Sequence, residues 1–546
     1  MAILKNSVIV AFWTMASRGL GFARDLLIAN KLGAGTASDA FFIALMLPNL
    51  LRRLFGEGAF NVAFVPILAR HKAKSDAEAM AFASATLSWL LPVVTLVTIL
   101  GIIFMPVLVS ILASGWVGQP EKFDLAVELG RITFPYLGLI TFAAFLGAVC
   151  NTFGQFAAYA MVPALLNLSI LMCLFALPET LGLPPADAAA LAIPLGGLAQ
   201  AIYMWWAVKK LGLTLRFQWF PKHVDLKKVL IRMGPAAVGV GVLQLSLIVD
   251  NTAASYLGEG IISFLQYANR FYQLPLALIG IAVATVLLPH LSVLLGEGNK
   301  AGATKSFTDA LGGCLALAMG SCVGLLLLAP EMMLTLLKHG EMTAFEAQAV
   351  AWTMMGYVIG LPAYILTKVT APAFFAAEDP MSPVKAGAYA LLLNGFLNVL
   401  IVLYAARLGY GDVAFVGIAI ATALGGYLNA YLQWHWLNKK GVLAIDAPRM
   451  GRDIVKMLMV GALMGSVILL MKLALPYQVE WNLFVRLLWL GGVMLISGLV
   501  FVIGIEYSGL LNLRRLAKDM MHRKKMKIAV KDGAKKGESV DLRGDF

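Results

Sequence analysis

The chain has 546 residues, of which 60% are hydrophobic and only 13% are charged. Soluble domains typically carry about 25% charged residues, so this composition excludes an ordinary soluble fold and indicates a membrane protein. The formal net charge is +13, but no nucleic-acid-binding motif accompanies it, and we expect no nucleic acid partner. The basic residues gather in alternate loops and in the tail, which is typical of orientation in a membrane.

Apolar stretches long enough to cross the roughly 30 Å hydrocarbon core recur along the chain. Hydropathy and the Gly, Pro and charge breaks predict about 14 transmembrane helices, and therefore an all-α polytopic membrane protein. The predicted spans lie near residues 7–31, 37–67, 80–112, 125–152, 160–178, 187–210, 226–256, 262–294, 304–328, 343–371, 384–406, 413–438, 451–473 and 483–507. Charges interrupt the first apolar run and no cleavage site follows it, so we expect a retained helix, not a signal peptide.

The loops between the predicted spans fall into a basic set and a set poor in Lys and Arg. The basic set includes Arg70, Lys72, Lys74, Lys209, Lys210, Lys300, Lys305, Lys439, Lys440, Arg514 and Arg515. Under the positive-inside rule this set is cytoplasmic, which places both termini in the cytoplasm and makes the number of helices even.

An internal repeat relates the two halves of the chain. At an offset of 225 to 229 residues, Leu195-Gly196-Gly197 and Gln200-Ala201 match Leu424-Gly425-Gly426 and Asn429-Ala430, and Asp25 matches Asp250. Six helices per half is an even number, so the halves are predicted to be parallel repeats that rock about a central cavity. The predicted units are an N-lobe at 1–215, a C-lobe at 216–441, a C-terminal helix pair at 442–508 and a basic cytoplasmic tail at 509–546.

Charged residues occur where the bilayer makes them costly. A charge at the bilayer centre costs ~2.5 to 3.5 kcal/mol on insertion scales, so such residues usually face a wet cavity or a partner. The candidates for substrate binding are Arg18, Arg24, Arg52, Arg53 and Arg270. The candidate cavity carboxylates are Asp25, Asp39, Glu57 and Asp250.

Arginines outnumber carboxylates in the first two predicted spans, so the predicted cavity is net cationic; Lys368 adds a further cation from the second half. Guanidinium groups match phosphate oxygens in a bidentate fork, which favours an anionic, phosphate-bearing cargo. Two alternatives stay open: neighbouring charges neutralise one another, or the long side chains reach the headgroup level.

The second predicted span contains Pro48, followed by Gly56 and Gly58. Proline removes a helical hydrogen bond and glycine loosens the helix, so this segment is a candidate gate, with a static kink as the alternative.

No phosphate-binding loop, HExxH motif or His/Cys ligand cluster is present, so we expect no catalytic residue, metal or cofactor. Membrane potential or a monovalent ion gradient is then the expected energy source.

The N-terminal sequence resembles a known family. The resemblance is carried by Ser17-Arg18-Gly19-Leu20-Gly21-Phe22-Ala23-Arg24-Asp25, by Ser38-Asp39-Ala40-Phe41-Phe42 and by Leu47-Pro48-Asn49-Leu50-Leu51-Arg52-Arg53-Leu54-Phe55-Gly56-Glu57-Gly58. This pattern is similar to the MurJ (MviN) family of lipid II flippases, which belongs to the superfamily that also holds the MATE exporters.

The resemblance implies a MATE-like fold in the bacterial inner membrane and a role in peptidoglycan synthesis. It implies that lipid II, an undecaprenyl-diphosphate-linked disaccharide pentapeptide, is flipped from the cytoplasmic to the periplasmic leaflet by alternating access. It further implies that the five candidate arginines line the cavity beside Asp25 and Asp39, and that the last two helices help form a groove for the polyprenyl tail. Membrane lipids are expected partners, and direct contact with the cell-wall synthesis machinery stays open.

Three other functions are compatible with parts of this pattern. A flippase for another polyprenyl-diphosphate sugar would use the same cationic clamp. A MATE-type drug or ion antiporter would share the fold, but an excess of arginine does not suit cationic substrates. A membrane-embedded glycosyltransferase or ligase would need catalytic carboxylates or histidines on large outer loops, and the predicted loops are short. The expected function is therefore transport, not enzymatic catalysis.

Overall fold

The computed structural model of the chain describes residues 2–53, 59–219, 221, 224–408, 411–443 and 447–510. Within these ranges every regular element is helical, as the hydropathy pattern predicts. Ten helices are long and apolar enough to cross a membrane, and a bent pair makes an eleventh candidate span. The chain is therefore a multi-pass helical membrane protein.

Ten α-helices occupy the described part of the first 210 residues. They are α1 (Ala2–Leu32), α2 (Thr36–Arg52), α3 (Ala59–Lys74), α4 (Asp76–Ile103), α5 (Met105–Leu112), α6 (Pro120–Thr133), α7 (Tyr136–Thr152), α8 (Phe156–Ala160), α9 (Val162–Leu181) and α10 (Pro185–Lys210). Ten more follow the connection. They are α11 (Val224–Ala254), α12 (Ile261–Pro275), α13 (Ala282–Gly296), α14 (Lys300–Leu336), α15 (Ala344–Ile359), α16 (Leu361–Ala376), α17 (Met381–Leu408), α18 (Gly411–Lys439), α19 (Ala447–Ala474) and α20 (Leu483–Ser508).

Prolines explain where single predicted spans become two elements. The span predicted at 343–371 is α15 and α16, which meet at a bend of 43°. Pro362 stands in the first turn of α16, where its missing N–H is tolerated. The span predicted at 262–294 contains a π-helical stretch, Leu276–Ile281, directly after Pro275. Both bends reshape spans that hydropathy alone shows as continuous.

Several helices of the first half contact α11 and α12 of the second half. Helix α3 packs against α11, and α2 packs against α12. The connection between the halves lies along α4: the amides of Arg216 and Gln218 donate to the Ser84 and Ser88 hydroxyls, at 3.1 and 2.9 Å. The Trp89 indole donates to the Pro221 carbonyl at 3.1 Å. The connection is thus held by side chains of one helix.

The C-terminal helices α19 and α20 pack together and against α14. Their outward faces carry exposed apolar residues such as Leu463, Leu470, Leu488 and Leu495. An exposed apolar surface of this kind fits a lipid environment. We call the end of the bundle that holds the loops at 75, 211–219, 297–299 and 377–380 the basic face. The other end, which holds 33–35, 113–119, 182–184, 255–260, 337–343 and 475–482, is the opposite face.

Candidate functional site

Arg24, in α1, is the most tightly held of the candidate arginines. Its guanidinium donates twice to one oxygen of Asp25, at 2.6 and 3.0 Å, and once to the Asn167 side chain in α9 at 2.9 Å. Asn167 in turn donates to the Ser17 carbonyl at 3.0 Å. The Arg24 side chain is only 12% exposed, so these bonds fix the guanidinium in one position.

Asp25 connects the two halves of the chain. Its second carboxylate oxygen lies 3.2 Å from the Arg270 Nε in α12. Arg24 and Arg52 are both close enough to Arg270 to repel it. Asp25 thus lies between the guanidinium groups of Arg24 and Arg270, and the 44% exposed Arg270 side chain can offer further donors to an anion.

Arg53 and Arg52 lie near Arg270, whereas no contact joins Arg18 to this group among the described residues. Arg53, which follows α2, donates to the Gln244 side chain in α11 at 2.8 Å and so also reaches across the halves. Arg52 ends α2 and is half-buried. Arg18 is exposed on α1 and forms no ion pair within the part of the chain that the structure describes. The charge of the whole group is strongly positive.

A cavity of about 100 Å³ opens beside Arg270 and Arg53. Much of its polar lining comes from a stripe on α12 at helical spacing, made of Gln266, Asn269, Arg270 and Gln273. Small-molecule sites usually enclose about 300 to 1,000 Å³. This cavity could hold a phosphate group but not a disaccharide with a peptide, so a large headgroup requires the halves to separate.

Asp39, predicted as a cavity carboxylate, lies at the opposite face. It is fully buried and accepts bonds from the Gly260 and Ser263 amides, both at 2.8 Å, and from the Ser263 hydroxyl at 2.6 Å. These donors form the amino end of α12, where a carboxylate is favoured. Gly260 has a φ of +78°, and a Cβ there would meet the Ala34 carbonyl at 2.3 Å, so the contact requires glycine.

Asp250, in α11, lies apart from the arginines within the second half. Its oxygens accept from the Asn398 amide at 2.8 Å and the Thr422 hydroxyl at 3.0 Å. Asn398 also donates to Asn394 at 3.2 Å. The group is buried and contains one charge among neutral oxygen and amide groups.

The candidate gate is partly described. Pro48 is buried within α2, which continues through it to Arg52. Gly56, Glu57 and Gly58 lie outside the described residues, which resume with α3 at Ala59. No group of three or more His, Cys, Asp or Glu suited to a metal ion occurs among the described residues.

Several polar residues of the site were not predicted from the sequence. The amides of the α12 stripe, Gln266, Asn269 and Gln273, could have been found, because they repeat with Arg270 at helical spacing in an apolar span. The contact of Glu259 with Thr36, at 2.5 Å to the hydroxyl and 2.9 Å to the amide, joins residues far apart in the chain. No local sequence pattern predicts this contact.

A cationic cleft between two packed halves of a multi-pass helical bundle is typical of membrane transporters, and this is the class that the fold indicates. The family model for the lipid II flippase MurJ matches residues 28–489. The chain therefore belongs to the MurJ family of lipid II flippases.

Individual relatives agree with this assignment. A protein of Vibrio cholerae serotype O1 described as "Probable lipid II flippase MurJ" is 35% identical over 503 residues, covering 90% of this chain and 93% of its own. A solved structure of a lipid II flippase MurJ in an inward closed conformation is 25% identical, with a TM-score of 0.76 and coverage of 92% and 98%. An inward-facing MATE family transporter, 15% identical with a TM-score of 0.65 over 79% of this chain and 97% of its own, shares the fold.

Proposed function

We propose that this protein moves lipid II from the cytoplasmic to the periplasmic leaflet of a bacterial inner membrane. The family assignment gives the cargo class, and the cluster of Arg24, Asp25 and Arg270 is the observation that carries the proposal. Guanidinium groups from both halves meet there, and a diphosphate offers several oxygens to such donors. A diphosphate can replace Asp25 as the partner of Arg270 and so join the two halves.

Alternating access is the mechanism we propose. The cavity of about 100 Å³ is too small for the whole headgroup, so loading requires one face to open. At the opposite face, Asp39 and Glu259 hold α2 against the start of α12. Headgroup binding must favour one arrangement over the other in order to shift the equilibrium between them.

The proposed topology has fourteen spans. The eleven candidate spans are joined by α1, by α2 with α3, and by α11, the helices that carry much of the charged site. We assign the basic face to the cytoplasm, with both termini there. The proposed units are the lobes at 1–215 and 216–441, the helix pair at 442–508 and the tail at 509–546. We assign the groove for the polyprenyl tail to the helix pair.

Energy for the cycle is proposed to come from a monovalent cation or the membrane potential. The Asp250 group offers carboxylate, amide and hydroxyl oxygens, and the Asn398 Oδ1 is buried without a hydrogen-bond partner among the described residues. Buried oxygen clusters at membrane depth suit Na⁺ or a proton.

Asp250→Asn should abolish the dependence of transport on the coupling gradient, whereas Asp379→Asn, in a loop, should preserve it. Unchanged gradient dependence in Asp250→Asn would contradict the assignment.

The function is tested by depleting the protein in its host and measuring which leaflet holds lipid II, by cleavage with an externally added enzyme. Native protein should restore external cleavage. Arg24→Ala and Arg270→Ala should fail to restore it although they are inserted at native amounts, because each removes part of the diphosphate clamp. Lys300→Ala, at the start of α14 on the basic face, is the matched control and should rescue fully.

Two outcomes would change the proposal. If lipid II still reaches the outer leaflet after depletion, the cargo is another polyprenyl-diphosphate sugar. If both arginine variants rescue like the native chain, the cationic cluster is not the binding site. Membrane lipids surround the protein in either case, and direct contact with cell-wall synthesis enzymes can be tested in the same strains by cross-linking.

A further inference from the structure

Lys368, in α16, is a second cationic position that the cluster around Arg270 does not include. Its side chain is exposed, and no carboxylate lies within 4 Å of it among the described residues. It stands within a membrane-spanning pair of helices, the bent pair α15 and α16. An ionisable residue in such a place is expected to face a wet cavity and to serve a ligand.

The stem of the Lys368 side chain packs against Gly280, in the π-helical stretch that follows α12. A Cβ at Gly280 would lie 3.2 Å from the Lys368 Cβ and 3.4 Å from its Cγ, so the glycine makes room for the lysine stem. Leu278, an exposed apolar residue, precedes Gly280 by two residues and so lies on roughly the opposite side of the same helical segment. The lysine therefore contacts this segment on the side away from the Leu278 side chain.

One helical segment gives the separation of the two cationic positions along the helix axis. Gly280 follows Arg270 by ten residues, which corresponds to at most roughly 15 Å at about 1.5 Å per residue, because the π-helical stretch Leu276–Ile281 rises less per residue than an α-helix. A pentapeptide ends in a carboxylate, and five extended residues span at most about 17 Å. A headgroup whose diphosphate binds at Arg270 can therefore bring a peptide carboxylate to Lys368.

We infer that Lys368 binds a carboxylate of the peptide part of the cargo and so distinguishes the peptide-bearing lipid from other polyprenyl diphosphates. This inference rests on the proposed function. It gives the site two separated anion positions: guanidinium groups for the diphosphate and an ammonium for the peptide. A point charge suits this second task, because a flexible chain end does not present the fixed geometry that a guanidinium fork matches.

The test compares two ligands on the full-length purified protein: lipid II, and the same polyprenyl-diphosphate disaccharide without its peptide. Lys368→Gln should weaken lipid II binding about tenfold, the effect of losing one charged hydrogen bond, and leave binding of the peptide-free lipid within about twofold. Lys368→Arg should retain most of the lipid II affinity. Thermal unfolding of each variant checks that the fold is kept.

The outcomes separate the inference from the proposed function. Equal weakening of both ligands by Lys368→Gln, or no weakening of either, overturns the peptide assignment while native binding of lipid II remains. Arg270→Gln should weaken both ligands alike, because both carry the diphosphate. If the native protein binds neither ligand better than a phospholipid, the proposed function itself fails, and the inference fails with it.

Discussion

At the scale of single residues, Asp25 offsets part of the positive charge of the cleft. It lies 2.6 Å from Arg24 and 3.2 Å from Arg270, and both guanidinium groups belong to the cluster proposed to hold the diphosphate. A carboxylate in that position occupies donors that an incoming phosphate would use. We therefore expect Asp25 to compete with the cargo for these donors, which would allow the cargo to leave as well as to bind.

Asp25→Asn should bind a polyprenyl diphosphate more tightly, by about tenfold, because one charged hydrogen bond to a guanidinium no longer competes. Transport should fall, because release becomes slower. Binding to the purified protein and external cleavage of lipid II in cells measure the two effects. Asp379→Asn, which breaks an ion pair with Lys440 in a loop of the basic face, is the control. Weaker binding by Asp25→Asn would mean that Asp25 positions the arginines instead of competing.

The sequence identifies the charged residues but cannot sort them by position. Arg24, Asp25 and Arg270 are brought together, whereas Asp39 and Asp250 enter separate polar groups. The difference depends on which helix end or amide each carboxylate meets after folding. Amide donors at the start of α12 belong to the backbone, and a backbone donor has no signature in the residue types.

At the scale of helices, a partly buried ion pair attaches the C-terminal helices α19 and α20 to the rest of the bundle. Lys472 in α19 lies 2.6 Å from Glu331 in α14 and also donates to the Leu327 carbonyl at 3.1 Å. Arg486 in α20 donates to the Leu334 carbonyl at 3.1 Å. Both basic residues thus bind successive turns of α14.

Lys472→Met should destabilise the attachment of α19 by about 3 kcal/mol, because it leaves the Glu331 carboxylate buried without its partner. We take the lower end of the range for buried pairs because the Lys472 side chain is 29% exposed. Thermal unfolding and protease cleavage of the loop at 475–482 measure the effect. The double variant Lys472→Met with Glu331→Leu should recover much of the loss; no recovery would show that the lysine acts through its packing.

The ends and bends of helices were harder to predict than their existence. Eleven of the fourteen predicted spans coincide with candidate spans among the described residues, yet α14 extends from Lys300 to Leu336, well beyond the predicted 304–328. The partners Glu331 and Lys472 are 141 residues apart, so no repeat or local spacing pairs them. Long-range polar contacts in a membrane protein follow from helix packing, and composition carries no information about that.

For the whole molecule, the two halves touch at both faces. At the opposite face, Thr36 donates to Glu259 and Asp39 accepts from the start of α12. At the basic face, the His71 ring in α3 lies 3.0 Å from Asp225 in α11. A transport cycle exposes the cleft to each face in turn. Each time the cleft opens to one face, the contacts between the halves at that face must break.

The Glu259 contact should depend on pH. Hydrogen bonds from the Thr36 hydroxyl and amide hold the pKa of the Glu259 carboxyl below its usual 4.5. A lowered pKa in the folded state means that the contact stabilises above pH 4.5 and is lost as the pH falls below it. The melting temperature of the native protein should therefore exceed that of Glu259→Gln at pH 7, and the difference should shrink towards pH 3.5. A constant difference would show that ionisation of Glu259 is not what the contact uses.

Cross-linking each face tests whether both contact sets must open. Cysteine pairs replacing Thr36 with Glu259, and His71 with Asp225, can be joined by a short bifunctional thiol reagent, since the four native cysteines lie within helices and are buried or half-buried. Either cross-link should stop external delivery of lipid II, and a cleavable reagent should allow recovery on reduction; single cysteines are the controls. Transport that continues with the His71–Asp225 pair joined would identify α3 and α11 as the hinge. The two halves would then separate between α1 and α12, where Asp25 contacts Arg270, while α3 and α11 stay together.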